Sequence, residues 1–309
     1  MALIDKDQPT IDNEYDRTDL RPDAEAEEEQ VVLEPEPEPE LAPTPRWWGD
    51  FPLDEYQVGR WQIGPTTLSI YRLPGEWRII YNQGDDPLDP TLDIDVPAEI
   101  EAIGIDDNVR RYMFSQTQNL VTLTPVLADR PLVVRPAIPF AIETREEITL
   151  YVSLPMWLQI SVAGVPQPLY EVPSFRPSDT WFGDSTLRGE LCYAARTPAQ
   201  LNVSELPKRP YRAIVPILIR NRDEGSLVLD RIKIPVEYLA LYSSKETNQF
   251  WTQKIILEQK NRRTRLRLGW GSPQEADKTE RVSPPRERAR RGIDVGAFGS
   301  IFRNTRGID

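Results

Sequence analysis

Histidine is absent from this 309-residue chain, and cysteine occurs once, at Cys192. Without histidine the chain lacks the commonest general base and the commonest neutral metal ligand. A serine or cysteine nucleophile activated by histidine is excluded within the chain. One cysteine forms neither an internal disulfide nor a cysteine-rich zinc site. Gly-rich phosphate loops and dinucleotide fingerprints are missing as well. Any catalysis would have to rest on carboxylates, lysine, tyrosine or a bound group. Composition therefore favours a non-enzymatic role, with no cofactor and no metal expected.

Long apolar runs are also lacking. The longest, 213–219, has strand length and contains Pro216, far short of the ~20 residues that span a bilayer. The opening MALIDKDQPT has no basic stretch followed by an apolar core, so it does not read as a signal peptide. With so little cysteine, a soluble cytoplasmic protein without a membrane span is expected.

What is abundant is charge, unevenly placed. Residues 1–45 hold fifteen acidic and three basic residues, which is the whole of the net −12. Residues 260–309 hold thirteen basic and six acidic residues, leaving the middle at −7. The head contains AEAEEEQVVLEPEPEPELAPTP, too polar and proline-rich to offset its ordering entropy, so a disordered acidic tail is expected over 1–45. The end reads as a basic flexible tail over 271–309, with arginines to Arg290 and Arg291 and then an apolar patch including Phe298, Ile301 and Phe302. A basic stretch ahead of such a patch resembles a docking peptide, so a protein partner is expected there. Peripheral contact with a membrane fits the same chemistry less well. Four clustered arginines are too few to point to nucleic acid.

The body alternates with period two over short runs, the pattern of half-buried strands. In NLVTLTPVL, Val121 and Leu123 oppose Thr122 and Thr124, and EITLYVSLP and MWLQISVAG continue the pattern. RAIVPILIRN is apolar on both faces, as a central strand would be, and NRDEGS after it predicts a hairpin between 214–219 and 227–234. TRLRLGW places Leu266, Leu268 and Trp270 on one face. Thirty prolines argue against long helices, the best helical segment being DDNVRRYMFS. The expected fold is all-β: one large antiparallel β-sandwich or, favoured, two, at 46–168 and 169–270, joined by the linker-like VAGVPQPLYEVP.

Five segments taken together carry a resemblance: WQIGPTTLSIYRLPGEWRI, PLVVRPAIP, YVSLPMWLQI, SDTWFGD and GELCYA. The stretch 47–268 resembles an uncharacterised prokaryotic family, the domain-of-unknown-function family four hundred and thirty-two. SDTWFGD followed by GELCYA is its most specific part. The resemblance implies all-β members with no assigned activity, some encoded near mechanosensitive channels, and so an accessory role beside a membrane protein or in a larger assembly.

SDTWFGD is also the strongest site candidate. It reads either as a buried corner, with Trp181 and Phe182 in the core and Asp179 and Asp184 closing turns, or as a binding surface. The leading functional expectation is an interaction or scaffold protein. The alternative is a carbohydrate-binding or carbohydrate-active protein, with Trp181 and Phe182 stacking on sugar and Asp179 and Asp184 as the carboxylate pair. WWGDF, 47–51, reads as a plug over a sandwich end. DIDVPAEIEAIGIDD reads as a solvated acidic loop rather than a calcium site, because the spacing of a calcium loop is missing.

Overall fold

The structure is a computed structural model that describes residues 45–100, 108–136, 138–185, 188–197, 199–261 and 263–288. The acidic head, and Arg290, Arg291, Phe298, Ile301 and Phe302 of the expected docking patch, lie outside them. Among the described residues the chain is all-β, with two single-turn 3-10 segments and no α-helix. Among these residues no helix is long and apolar enough to cross a membrane.

Alternation builds the strands as expected. Val121 and Leu123 are buried while Thr122 and Thr124 are only half so, in a strand Leu120–Val126 that pairs on one side with Gly49–Pro52 and on the other with Trp157–Val162. A five-stranded antiparallel sheet is formed by Leu92–Glu99, Gln57–Ile63, Thr66–Leu73, Glu76–Gln83 and Val109–Met113. The last of these was the expected helix; its five residues VRRYM pair antiparallel with Glu76–Gln83, with Val109 and Tyr112 half-buried and the rest exposed. Leu92–Glu99, the acidic segment, is an edge strand that points Asp93 and Asp95 to solvent.

The doubly apolar Arg212–Asn221 runs through the middle of the largest sheet. Its partner is not the segment that follows it. It pairs antiparallel with Glu147–Pro155 over nine positions, and parallel with Phe250–Thr252 and Ile255–Lys260. Leu227–Leu229 pairs instead with Phe140–Ile142, and Ile232–Ile234 with Leu132–Arg135. The expected local hairpin thus gives way to long-range partners that hydrogen-bond both edges of an apolar strand. The sheets are otherwise antiparallel, apart from Leu132–Arg135 beside Arg188–Arg196.

Two expected boundaries are corrected. The division at 168/169 falls inside a hairpin: Trp157–Val162 pairs with Tyr170–Pro173, and the linker-like residues between them are its loop. One apolar core takes Trp61 and Trp77 from the five-stranded sheet, Leu158 and Ile160 from the Gly49–Pro52 sheet, Val134 and Ile232 from the mixed sheet, and Val215 and Ile217 from the largest. Two sandwiches would each need a core of their own; here the core is shared. The boundary at 270/271 moves as well. Thr279–Ser283 is a strand paired with Leu241–Ser244, Glu275 pairs with Lys254, and Arg286 reaches back to Glu171. Trp270, expected on the buried face with Leu266, lies past the strand end and is fully exposed. Trp47 and Trp48 are buried against Phe250, and the Trp47 indole donates to the Pro210 carbonyl at 2.8 Å.

Candidate functional site

SDTWFGD is not a corner. Ser178–Ser185 is an extended strand paired antiparallel with Arg188–Arg196, which in turn lies beside Leu132–Arg135. Successive side chains of a strand point to opposite faces, so the adjacent Trp181 and Phe182 separate. Phe182 is buried with Val133 and Cys192, whereas Trp181 is 46% exposed. Directly opposite Trp181 stands Leu191, also 46% exposed. One row along the same face, Asp179 stands opposite Tyr193.

Tyr193 leads into a cleft of about 340 Å³ lined by Asp129, Arg130, Trp157, Glu171, Pro173, Arg176 and Tyr193. Its floor is Trp157 and Tyr193, with ring centroids 5.4 Å apart and tilted by 40°. The Tyr193 hydroxyl donates to Asp129 at 2.9 Å, and burial together with that acceptor pushes its pKa up. Arg130 lies over the Tyr193 ring at 5.1 Å. Arg130 also meets Asp129 at 3.3 Å and Asp179 at 3.4 Å, and Arg176 reaches Asp179 at 3.7 Å. On the wall, Arg286 pairs with Glu171 while its Nε donates to the Leu127 carbonyl at 2.7 Å. The carboxylates of this cleft each meet a guanidinium, so they tie its walls together.

The other face of the hairpin is a buried polar cluster. Lys233, 3% exposed, is paired with Glu190, and both Lys233 and Arg231 lie over the Phe182 ring. Burial pushes the Cys192 thiol up to about 12, with the nearby Glu190 adding to the effect, so this cysteine is inert as a nucleophile near neutrality. Burial likewise lowers Lys233 and raises Glu237 to about 7. Glu237 Oε2 has no hydrogen-bond partner among the described residues. Glu237 does not line the cleft.

The expected site residues thus divide. Asp179 is on the cleft rim, Trp181 on the exposed ledge beside it, and Phe182 in the core behind. Asp184 belongs to the strand, but its side chain lies outside the described residues. Five positions of extended chain separate the two aspartates by roughly 16 Å of backbone, against the ~5–9.5 Å between carboxyl groups that glycoside hydrolysis uses. Asp129, Arg130, Trp157, Glu171 and Arg176 were not legible as a site in advance, because apart from the neighbours Asp129 and Arg130 they come from separate segments and share no local pattern. Tyr193 was in view only as a strand residue of GELCYA, and Arg286 only as part of a basic tail.

The acidic strand Leu92–Glu99 stays apart from this site. Asp93 and Asp95 lie in the five-stranded sheet, where Asp95 pairs with Arg60 at 3.2 Å. Asp106 and Asp107 lie outside the described residues. Among the described residues no group of three or more cysteine, aspartate or glutamate side chains is placed to hold a metal ion.

Residues 47–302 match the family described as "Protein of unknown function (DUF432)". The match begins at Trp47, as the resemblance does, and continues past Leu268 through the strand Thr279–Ser283 and Arg286. No curated protein and no solved structure matches the chain. With most of its length covered by that match, the chain belongs to the DUF432 family.

Proposed function

We propose that this protein is a non-enzymatic interaction protein, an accessory part of a larger assembly, and that it docks a protein partner through the face of the Ser178–Ser185 hairpin. The observation that carries this reading is the cross-strand pair Trp181 and Leu191, apolar and nearly half exposed, beside a cleft walled by ion pairs. Exposed aromatic and aliphatic anchors rimmed by charge are the usual makings of a binding surface. The absence of histidine from the sequence and the arginine-bound carboxylates of the cleft favour binding over turnover. A cytoplasmic setting accords with the single, buried cysteine.

The test is a photo-crosslinking residue placed at position 191 in cells that make the protein, with Leu201, an exposed leucine in the loop before Val203–Glu205, as the control site. A defined protein adduct from position 191 that disappears with Trp181→Asp is expected. Equal labelling from both positions would count against the surface.

One observation favours a second reading: the indole of Trp181 is exposed as a sugar-stacking side chain needs to be. A carbohydrate-binding protein would show a reproducible, sugar-dependent rise in melting temperature that Trp181→Ala removes. Without that rise the interaction reading stands alone.

A further inference from the structure

Three features of the hairpin face converge on the chemistry of its partner. Ser178–Ser185 is the end strand of its sheet, and among the described residues no strand pairs with its outer edge. An open edge presents a row of backbone donors and acceptors to any extended chain that comes alongside. At one end of that strand Arg130 and Arg176 both approach the Asp179 carboxylate, at 3.4 and 3.7 Å, and Arg130 also meets Asp129 at 3.3 Å. Good charge-assisted bonds are ~2.7–2.9 Å long, so Asp179 holds both guanidiniums only loosely, and the Arg176 side chain is 61% exposed. Next along the same face come Trp181 and Leu191.

We propose that this face captures an extended acidic segment of a partner protein, added as a strand along the outer edge of Ser178–Ser185, with a carboxylate on Arg130 and Arg176 and an apolar side chain on Trp181 and Leu191. The proposal rests on the reading of this face as the docking surface and names the chemistry of what docks. Asp179 acts as the internal placeholder: its carboxylate occupies the position between the two guanidiniums that the partner's carboxylate takes, and it turns to solvent on binding. Recognition is local. The residues between 46 and 259 sum to −7, so acidic chains lacking the apolar residue or the free backbone edge are held off by repulsion.

The experiment uses the full chain and a short fluorescent peptide of alternating glutamate and valine, read by anisotropy. The controls are a lysine–valine peptide and a glutamate–valine peptide with alternate amides N-methylated. Expected are preference for the acidic peptide by about tenfold or more and weakening on raising the salt. Arg176→Gln should weaken binding several-fold, Asp179→Asn should tighten it, and N-methylation should abolish it. Arg176→Gln is chosen because its exposed side chain can be replaced without disturbing the fold. Equal affinity for acidic and basic peptides, or indifference to Arg176→Gln and Asp179→Asn, would overturn the acidic preference. Unchanged binding of the N-methylated peptide would overturn strand addition. Failure of the acidic peptide with a surviving position-191 adduct sinks this proposal alone, whereas failure of both sinks the docking surface with it.

Discussion

The indole of Trp181 lies across Gly189 so closely that a Cβ at position 189 would come within 2.4 Å of its Nε1 and 2.7 Å of the Phe182 carbonyl oxygen. Glycine on the neighbouring strand is therefore what lets the indole lie against the hairpin. The exposed ledge is built by the absence of a side chain as much as by the presence of one.

Gly189→Ala should displace the indole and shift the Phe182 backbone, with a loss of about 1–3 kcal/mol typical of overpacking. Chemical denaturation measures the loss, and tryptophan emission reports the movement. An unchanged midpoint and unchanged emission would contradict the contact.

Trp181→Ala should destabilise the chain much less than the same change at a core tryptophan. Trp61 and Trp77 are almost fully buried, and their truncation should cost about 3–5 kcal/mol. Trp181, with nearly half its surface in water, should cost less than about half of that. Denaturation midpoints of the three variants compare them directly. A Trp181 variant as damaged as the other two would return the motif to the core.

Glu237 sets a pH dependence. Burial raises its carboxyl from 4.5 to about 7, with Glu190 and Glu287 adding to the rise and Lys233 opposing it. A raised acid binds its proton more tightly in the folded state, so its contribution is complete below about pH 4.5 and is lost as pH rises through 7. At ~1.4 kcal/mol per unit, the loss by pH 8 is about 3 kcal/mol. Glu237→Gln should therefore be more stable than the parent at pH 8, and the gap should close by pH 5. Parallel urea titrations at the two pH values measure it, and a gap of the opposite sign would refute the burial account.

Glu76 works the other way. Hydrogen bonds from Arg111 and then Arg78 hold its carboxyl at about 2 rather than 4.5. Its stabilisation is present above pH 4.5 and is lost as pH falls through 2. Glu76→Gln should cost about 1 kcal/mol at pH 7, kept small because water reaches Arg111. Thermal melts at pH 7 and near pH 2 should show that difference shrinking on acidification.

The chain end is part of the body. Ending the protein after Trp270 removes the Thr279–Ser283 strand, the Lys254–Glu275 pair and the Arg286 anchor, so a loss of several kcal/mol or of cooperative unfolding is expected. Arg286→Ala alone should cost about 1–3 kcal/mol, since it frees the buried side of the Leu127 carbonyl and one partner of Glu171. Calorimetry of the two forms checks both, and a truncated chain that melts like the parent would restore the flexible tail.

By itself the amino-acid pattern determined the class of structure. Period-two alternation in 120–126, 147–155 and 157–162 allows only strands, since side chains of a strand point to alternate faces, and thirty prolines keep helices out. Composition likewise settled which catalytic devices the chain does not have. Tertiary structure decided everything that depends on which strand meets which. Arg212–Asn221 pairs along one edge with Glu147–Pro155 and along the other with Phe250–Thr252 and Ile255–Lys260, not with its own neighbour, and this central place in the sheet leaves most of its residues buried on both faces. The outward turn of Trp181 follows from one phase, Phe182 inward, and that phase is set by Val133 and Cys192 behind it. The cleft gathers Asp129, Trp157, Glu171, Arg176 and Tyr193 from separate parts of the chain. No local pattern encodes that meeting, because it is long-range burial, not neighbouring residues, that brings them to one place.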